Sequence, residues 1–200
     1  MRIRGLLVVL YLSIMSIYCE SQKNIVIIGH RGAKGHLAEN TLPSIAKAID
    51  LGVNGIEIDV FKCASGELVV FHDKTLEDLT NASGYIEDLD LDSIQRIEVL
   101  DGYSIPTLNE VMDLIQGKVF LNIELKGSQT AIETNNLLEE YFDKEEWSSE
   151  KILISSFIWE ELKKFRQINK EIPIAILTKD DPIDAIPIGL ELDAVSINPD

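Results

Sequence analysis

Apolar residues recur along this 200-residue chain in short, nearly continuous runs, and the stretches between the runs carry apolar positions at helical spacing. Nearly continuous runs of this length are typical of parallel strands that are covered on both faces. The runs predict strands at Ile25–Gly29, Gly55–Phe61, Glu67–Phe71, Val119–Leu125, Lys151–Ser156, Ile174–Leu177 and Ala194–Ile197. The intervening stretches predict helices at Thr41–Leu51, Leu91–Ile97, Thr107–Gln116, Thr130–Phe142, Ile158–Asn169 and Pro182–Ile188.

The alternation of strands and helices predicts an α/β fold, either a barrel or a doubly wound sheet, in one domain over residues 24–200. Polar residues follow several of the predicted strands, which favours the barrel because the carboxyl ends of its strands converge on one mouth. The link between Phe61 and Glu67 is too short for a parallel crossover, and local rules predict a hairpin around its Ser65-Gly66 turn.

Two carboxylates, Glu57 and Asp59, lie within the apolar strand predicted at Gly55–Phe61. Side chains alternate across a strand, so a spacing of two places both carboxylates on the same face. A pair of negative charges on a buried face is unfavourable unless a cation neutralises it. Carboxylate oxygens suit a hard divalent ion, so the pattern predicts one Ca²⁺ or Mg²⁺ ion.

Two histidines stand in equivalent positions, since His30 and His72 each follow an apolar strand and precede polar residues. A single histidine there is most simply a residue that satisfies a backbone group. Two of them beside carboxylates indicate instead a general acid and a general base across a scissile P–O bond. Glu124 and Lys126 repeat the spacing of two, and they predict either a structural ion pair or a metal ligand beside a phosphate-binding lysine.

Arg31 and the Glu39-Asn40-Thr41 stretch each have two interpretations. Arg31 is suited either to a surface salt bridge or to phosphate, which its planar donor fork matches. The stretch from Glu39 is either only the start of a helix, capped by Asn40 or Thr41, or part of the substrate-binding mouth that its loop borders.

The charge balance excludes nucleic acid as a ligand, because the formal net charge is −16. The first 20 residues have the pattern of an export leader, with Arg2 and Arg4 followed by an apolar run from Leu6 to about Ile17. Three outcomes are open: cleavage, lipidation at Cys19, or retention as an anchor. Each predicts a secreted, periplasmic or envelope-attached protein. Cys63 then has no cysteine partner in the mature chain.

Taken in order, the motifs resemble those of the glycerophosphodiester phosphodiesterase family. They are His30-Arg31-Gly32, Glu39-Asn40-Thr41, Glu57-x-Asp59, His72-Asp73 and Glu124-x-Lys126. The resemblance implies an eight-stranded TIM-type (β/α)8 barrel of the kind found in phospholipase C-like phosphodiesterases. It implies one Ca²⁺ or Mg²⁺ ion at Glu57, Asp59 and Glu124, catalytic roles for His30 and His72, and phosphate contacts from Arg31 and Lys126. Glu39 completes the predicted substrate-binding set.

The resemblance also explains the short link, because the second and third strands of the family are adjacent and joined without a helix. It identifies the segment between His72 and Pro106 as a short version of the family's inserted region, which is expected to help form a lid. One departure is large: after the seventh predicted strand the sequence given stops at Asp200, without the family's last helices and eighth strand. A barrel truncated after its seventh strand, with the first and seventh strands as open edges, is therefore expected.

The implied reaction is hydrolysis of small-molecule glycerophosphodiesters, such as glycerophosphocholine, to sn-glycerol 3-phosphate and an alcohol. A phospholipase D-like enzyme acting on lysophospholipid or sphingomyelin is a second hypothesis, but it needs an apolar rim that the sequence does not reveal. A non-catalytic binding barrel and an inactive fragment are two further hypotheses. A membrane is expected as a partner only through an N-terminal lipid or an uncleaved leader.

Overall fold

The computed structural model describes residues 25–145 and 147–200. The predicted leader lies outside the described residues. The strands are β1 (Ile28–His30), β2 (Gly55–Lys62), β3 (Leu68–Val70), β4 (Glu98–Val99), β5 (Tyr103–Ser104), β6 (Phe120–Leu125), β7 (Ile152–Ser156), β8 (Ile174–Thr178) and β9 (Ser196–Pro199). The α-helices are α1 (Leu42–Asp50), α2 (Leu91–Ile94), α3 (Leu108–Ile115), α4 (Thr130–Asp143), α5 (Trp159–Ile168) and α6 (Ile186–Glu191).

Six parallel strands form the main sheet in the order β1-β2-β6-β7-β8-β9, and β3 joins it antiparallel to β2. Helices connect the parallel strands, as in a TIM-type barrel. Among the described strands β1 pairs with β2 alone and β9 pairs with β8 alone, so the sheet has two open edges. The predicted barrel architecture and its open first and seventh predicted strands are therefore confirmed.

The core lies between the sheet and its helices. Ile56, Ile58 and Val60 of β2 are fully buried on one face of that strand, where they join the same apolar cluster as Leu121 and Ile123 of β6. The same cluster includes buried residues of α1, α3 and α4. Burial of this apolar face fixes the register of β2 and β6, since a slip by one residue would move the carboxylates into the core.

Local signals place the first helices. Thr41 is the N-cap of α1 and accepts a hydrogen bond from the Ser44 amide, while Pro43 occupies the first turn. Thr107 and Glu110 form a capping box at the start of α3. Two predicted helices differ from the structure. The helix predicted at Leu91–Ile97 ends at Ile94, because Ile97 leads into β4, and Pro182–Ile188 is a 3-10 turn (Pro182–Ala185) followed by α6.

The edge strands are displaced from their predicted positions. The strand predicted from Ile25 begins only at Ile28, where its ladder with Gly55 starts, and Ile25–Ile27 are exposed. The last strand, predicted at Ala194–Ile197, is found at Ser196–Pro199, in register with Ala175–Thr178. Apolar runs at an edge mark the neighbourhood of a strand, whereas its limits depend on the partner that supplies hydrogen bonds.

The link between β2 and β3 is a hairpin, as the local rules predict, with Lys62 paired to Leu68 and Val60 to Val70. His72 follows a strand, as predicted, and that strand is antiparallel to β2. His72 reaches the mouth because β2 extends beyond its pairing with β6, and the antiparallel β3 returns to the level of Asp59, whose carbonyl accepts from the Phe71 amide. None of the helices within the described residues has the length and apolar character that a membrane crossing requires.

Candidate active site

A cavity of about 390 Å³ opens at the carboxyl ends of the parallel strands. Most of the residues that the sequence predicts for the site line it: His30, Arg31, Glu57, His72, Glu124 and Lys126. Asp59 lies fully buried beside them. The strand register explains this convergence, because Glu57 is opposite His30 on β1 and Asp59 is opposite Glu124 on β6.

The three predicted metal ligands form one cluster. One oxygen from each of Glu57, Asp59 and Glu124 lies within 4.8 Å of the others, and all three residues are buried. Glu57 Oε1 and Asp59 Oδ1 are buried atoms without a hydrogen-bond partner. Burial of an unpaired carboxylate oxygen is strongly unfavourable, and a divalent cation would satisfy these atoms. The residues present therefore fit a Ca²⁺ or Mg²⁺ ion.

The electrostatics of the cluster point in the same direction. Burial, reinforced by the negative charge of Asp59, raises the pKa of Glu57 to about 8. Burial and Asp59 likewise raise the pKa of Glu124 to about 7, although Lys126 opposes the shift. Without a cation the cluster retains protons near neutral pH, and a bound cation would displace them.

Two cationic side chains flank the carboxylates. Lys126 Nζ lies 3.2 Å from Glu124 Oε1 and 3.7 Å from Asp59 Oδ1. Arg31 Nε lies 3.5 Å from Asp59 Oδ2, and the Arg31 amide donates to Glu57 Oε2 at 3.0 Å. The ion pair predicted as the simpler interpretation of Glu124 and Lys126 exists, and Lys126 also lines the cavity.

Glu39 lies behind Arg31, outside the residues that line the cavity. Its Oε1 accepts from Arg31 Nη1 at 2.6 Å, and its Oε2 is 2.8 Å from Lys34 Nζ. Although burial opposes the change, the hydrogen bonds from Lys34 and Arg31 lower the pKa of Glu39. In this arrangement Glu39 orients the Arg31 guanidinium. Direct contact between Glu39 and substrate stays a prediction.

The two histidines have different polar partners. His30 Nε2 is 3.7 Å from Glu57 Oε2, with most of its side chain exposed, and burial together with Arg31 lowers the pKa of His30. His72 Nδ1 is 2.6 Å from Asp73 Oδ1. That contact orients the His72 ring and engages Nδ1, so Nε2 is the nitrogen available for proton exchange. Both rings thus border the cavity, His30 from the end of β1 and His72 from the residues after β3.

Sequence reasoning missed the contribution of Asn40. The sequence indicates it as a helix cap or as part of a stretch that borders the mouth, without a contact to the metal ligands. Thr41 is the cap, and Asn40 is a buried residue whose Nδ2 donates to Asp59 Oδ2 at 2.8 Å. Asn40 has a positive φ of 56°, which asparagine tolerates better than most residues. An asparagine directly before a threonine cap was the signal that could have revealed this conformation.

Two neutral polar residues, Asn122 and Ser155, were also missed as part of the cavity wall. Asn122 lies two residues before Glu124 and opposite Glu57, while Ser155 is opposite Glu124 on β7. Asn122 Oδ1 and Ser155 Oγ are buried atoms without a hydrogen-bond partner. The spacing of Asn122 from Glu124 placed it on the same face and was the signal that could have found it.

The barrel-type sheet and this site define the class of the protein as a phosphoric diester hydrolase. Comparisons with known proteins agree with this class. The model of the glycerophosphoryl diester phosphodiesterase family matches residues 30–198. A glycerophosphodiester phosphodiesterase of Caldanaerobacter subterraneus subsp. tengcongensis is 34% identical over 87% of this chain and 75% of its own length. One from Bacillus altitudinis is 34% identical over 77% of this chain and 66% of its own length.

Solved structures show the same relationship. A phosphodiesterase of Oleispira antarctica, in complex with the product sn-glycerol-3-phosphate, superposes with a TM-score of 0.77 at 28% identity, over 88% of this chain and 74% of that one. A glycerophosphodiester phosphodiesterase of Agrobacterium tumefaciens gives a TM-score of 0.75 at 25% identity, over 87% and 75%. The chain belongs to the glycerophosphoryl diester phosphodiesterase family. It spans 66% to 75% of the length of these four relatives.

Proposed function

We propose that this chain is a metal-dependent enzyme that hydrolyses glycerophosphodiesters, such as glycerophosphocholine, to sn-glycerol 3-phosphate and an alcohol. One observation carries the proposal: the carboxylates of Glu57, Asp59 and Glu124 form a buried cluster beside a cavity that His30 and His72 line, and Glu57 Oε1 and Asp59 Oδ1 have no hydrogen-bond partner among the described residues. The relative from Oleispira antarctica was solved with the product of this reaction. Family membership supports the same chemistry.

Glu57, Asp59 and Glu124 would hold one Ca²⁺ or Mg²⁺ ion. When bound, such an ion stabilises the negative charge that develops on the phosphate oxygens as phosphorus is attacked. Arg31 and Lys126 flank the carboxylates and are suited to hold the remaining phosphate oxygens. His30 and His72 divide the proton transfers. One imidazole removes the proton of the nucleophile, which is water or a substrate hydroxyl whose cyclic product water then opens, and the other protonates the leaving alkoxide.

A phospholipase D-like activity is a second candidate, and one observation favours it. Phe157, Leu177 and Pro199 contribute apolar surface to the same cavity, which the sequence alone did not reveal. Such a surface suits an acyl chain better than it suits a free glycerol head group. Hydrolysis of lysophosphatidylcholine at a rate comparable with that of glycerophosphocholine would establish the second activity.

We also propose that the protein is exported, as the basic and then apolar pattern of the first 20 residues indicates. Mass spectrometry of protein from the native host should find the residues before about Ser21 removed or attached to lipid. An unmodified chain that begins at Met1 in the cytoplasmic fraction would contradict export.

The proposed reaction is tested by measuring release of sn-glycerol 3-phosphate from glycerophosphocholine before and after chelation. Chelation should abolish release, and added Ca²⁺ or Mg²⁺ should restore it. Glu57→Gln should abolish release as well, since it removes a ligand charge at constant size. Glu133→Gln is the matched control, because Glu133 pairs with Lys62 away from the cavity. Release that continues undiminished under exhaustive chelation would refute a metal-dependent reaction.

A further inference from the structure

We propose that a second cavity beside the catalytic one binds the alcohol half of the substrate and selects alcohols that carry a positive charge, through the carboxylate of Glu87. The cavity has a volume of about 400 Å³ and is lined by Phe61, Asp73, Glu87 and Ile158 among others. The proposal rests on the proposed function and names the preferred class of substrate: glycerophosphodiesters of amino alcohols.

The position of the second cavity suits this role. His72 and Lys126 line both this cavity and the catalytic one. They are the residues proposed for proton transfer and for contact with phosphate. A phosphodiester carries two substituents on phosphorus, so a phosphate bound between His72 and Lys126 directs one substituent into each cavity. The hydroxyl oxygens of the glycerol half are suitable ligands for a hard cation, so we assign the glycerol half to the cavity with the clustered carboxylates and the alcohol to the second cavity.

Two lysines and two carboxylates line the second cavity, so the question is which of these charges already have a partner. The Lys126 ammonium is turned towards the catalytic carboxylates and lies 3.2 Å from Glu124. The Lys74 ammonium lies 5.9 Å from the centre of the Tyr85 ring. Asp73 is paired with His72. Within residues 25–145 and 147–200, Glu87 forms no salt bridge, so its charge is available to a cationic ligand.

Glu87 is held in place by neutral donors. Its Oε1 accepts from the Ser128 amide at 3.2 Å and from Ser128 Oγ at 3.3 Å. Gly127 permits this approach, because a Cβ there would lie 2.9 Å from Glu87 Oε1 and 2.8 Å from Phe61 Cδ1. A carboxylate beside an aromatic ring and an aliphatic side chain, here Phe61 and Ile158, suits a quaternary or primary ammonium group.

The test compares kcat/KM for glycerophosphocholine, which has a cationic alcohol, with kcat/KM for glycerophosphoglycerol, which has a neutral one. Glu87→Gln should lower the ratio of the two values about 3- to 10-fold, as expected for loss of a partly exposed charge pair. Glu87→Lys should lower the ratio further. Asp88→Asn makes the same change in net charge on an exposed neighbour in the same 3-10 turn, and should leave the ratio unchanged.

The Glu87 variants should bind Ca²⁺ as the wild-type protein does, because Glu87 is not one of the clustered carboxylates. Wild-type ratios in both Glu87 variants, with hydrolysis intact, would overturn the inference and leave the proposed function standing. Failure of the wild-type protein to hydrolyse either substrate would refute the proposed function itself. A folded Glu87→Lys protein that still prefers glycerophosphocholine would also overturn the inference.

Discussion

The wall formed by β2 and β6 and the segment from His72 to Pro106 border the same mouth but are built differently. The wall consists of long parallel strands whose residues are almost all buried. The segment includes two-residue strands, a 3-10 turn at Ile86–Asp88 and a four-residue helix, and it packs on a small apolar cluster that it shares with residues of β2 and β3. Charges in the wall are buried and need a cation, whereas Glu87 in the segment is partly exposed and needs none.

This difference separates chemistry from selectivity. A change in the wall alters buried carboxylates that are coupled to one another, so its effect on catalysis is large. A change in the segment alters one partly exposed contact with the leaving alcohol, so its effect is small and depends on the substrate. The predictions below test whether the two regions behave in these different ways.

The largest expected effect on catalysis, short of loss of the metal, comes from the histidines. His30→Ala and His72→Ala should each lower kcat by about 10²–10⁴-fold, the usual loss for a general acid or base. Both variants should retain metal affinity, as measured by calorimetry. His36→Ala is the control, because His36 is exposed and does not line the catalytic cavity. Near wild-type turnover of both folded variants would show that the histidines are structural.

A smaller effect is expected from Asn40, which supports the wall from the loop before α1. Asn40→Gly keeps the positive φ and removes the amide that donates to Asp59. Metal affinity should fall about 10- to 100-fold, as is usual when a residue that orients a ligand is lost. Thr41→Ala should instead lower stability by about 1 kcal/mol through loss of the helix cap, without changing metal affinity. Equal metal affinity in both variants would contradict this role for Asn40.

The last of these effects is on the stability of the metal-free protein. Because the pKa values of Glu57 and Glu124 are raised to about 8 and about 7 from an ordinary 4.5, the folded chain retains protons that the unfolded chain releases. The contribution of Glu57 and Glu124 to the free energy of unfolding should therefore be fully present below about pH 4.5 and be lost as the pH rises to about 8. Thermal unfolding in chelator should show this decline, and Glu57→Gln should reduce it. A melting temperature that rises between pH 5 and pH 8 would contradict the raised pKa values.

The sequence predicted the wall well because its signal is local and repeated. Glu57 and Asp59 are two residues apart in one apolar strand, and Glu124 and Lys126 are two residues apart at the end of another. That spacing places the two residues of each pair on the same face of their strand. The signal was weaker where hydrogen bonding to a neighbouring strand decides which residues form a strand. Ile25–Ile27 have strand propensity but are not in a ladder, and β4 and β5 are too short to show a period.

The role of Asn40 was hidden for a related reason. Its contact with Asp59 joins residues 19 positions apart through a backbone conformation that no periodic pattern encodes. His72 follows a strand as predicted, but that strand is antiparallel, so the convergence of parallel strands does not explain why His72 lies at the mouth. The resemblance of the ordered motifs to a family indicated its position independently of that argument.

Calorimetric titration with Ca²⁺ and, separately, Mg²⁺ tests the central claim most directly, because it measures the metal site without substrate. The wild-type protein should bind one ion per chain, and Glu57→Gln, Asp59→Asn and Glu124→Gln should each abolish binding or weaken it severely. Glu133→Gln should bind as the wild-type protein does. Wild-type affinity in all three ligand variants, or no binding of either ion by a wild-type protein that hydrolyses glycerophosphocholine, would contradict the claim that these three carboxylates form the metal site.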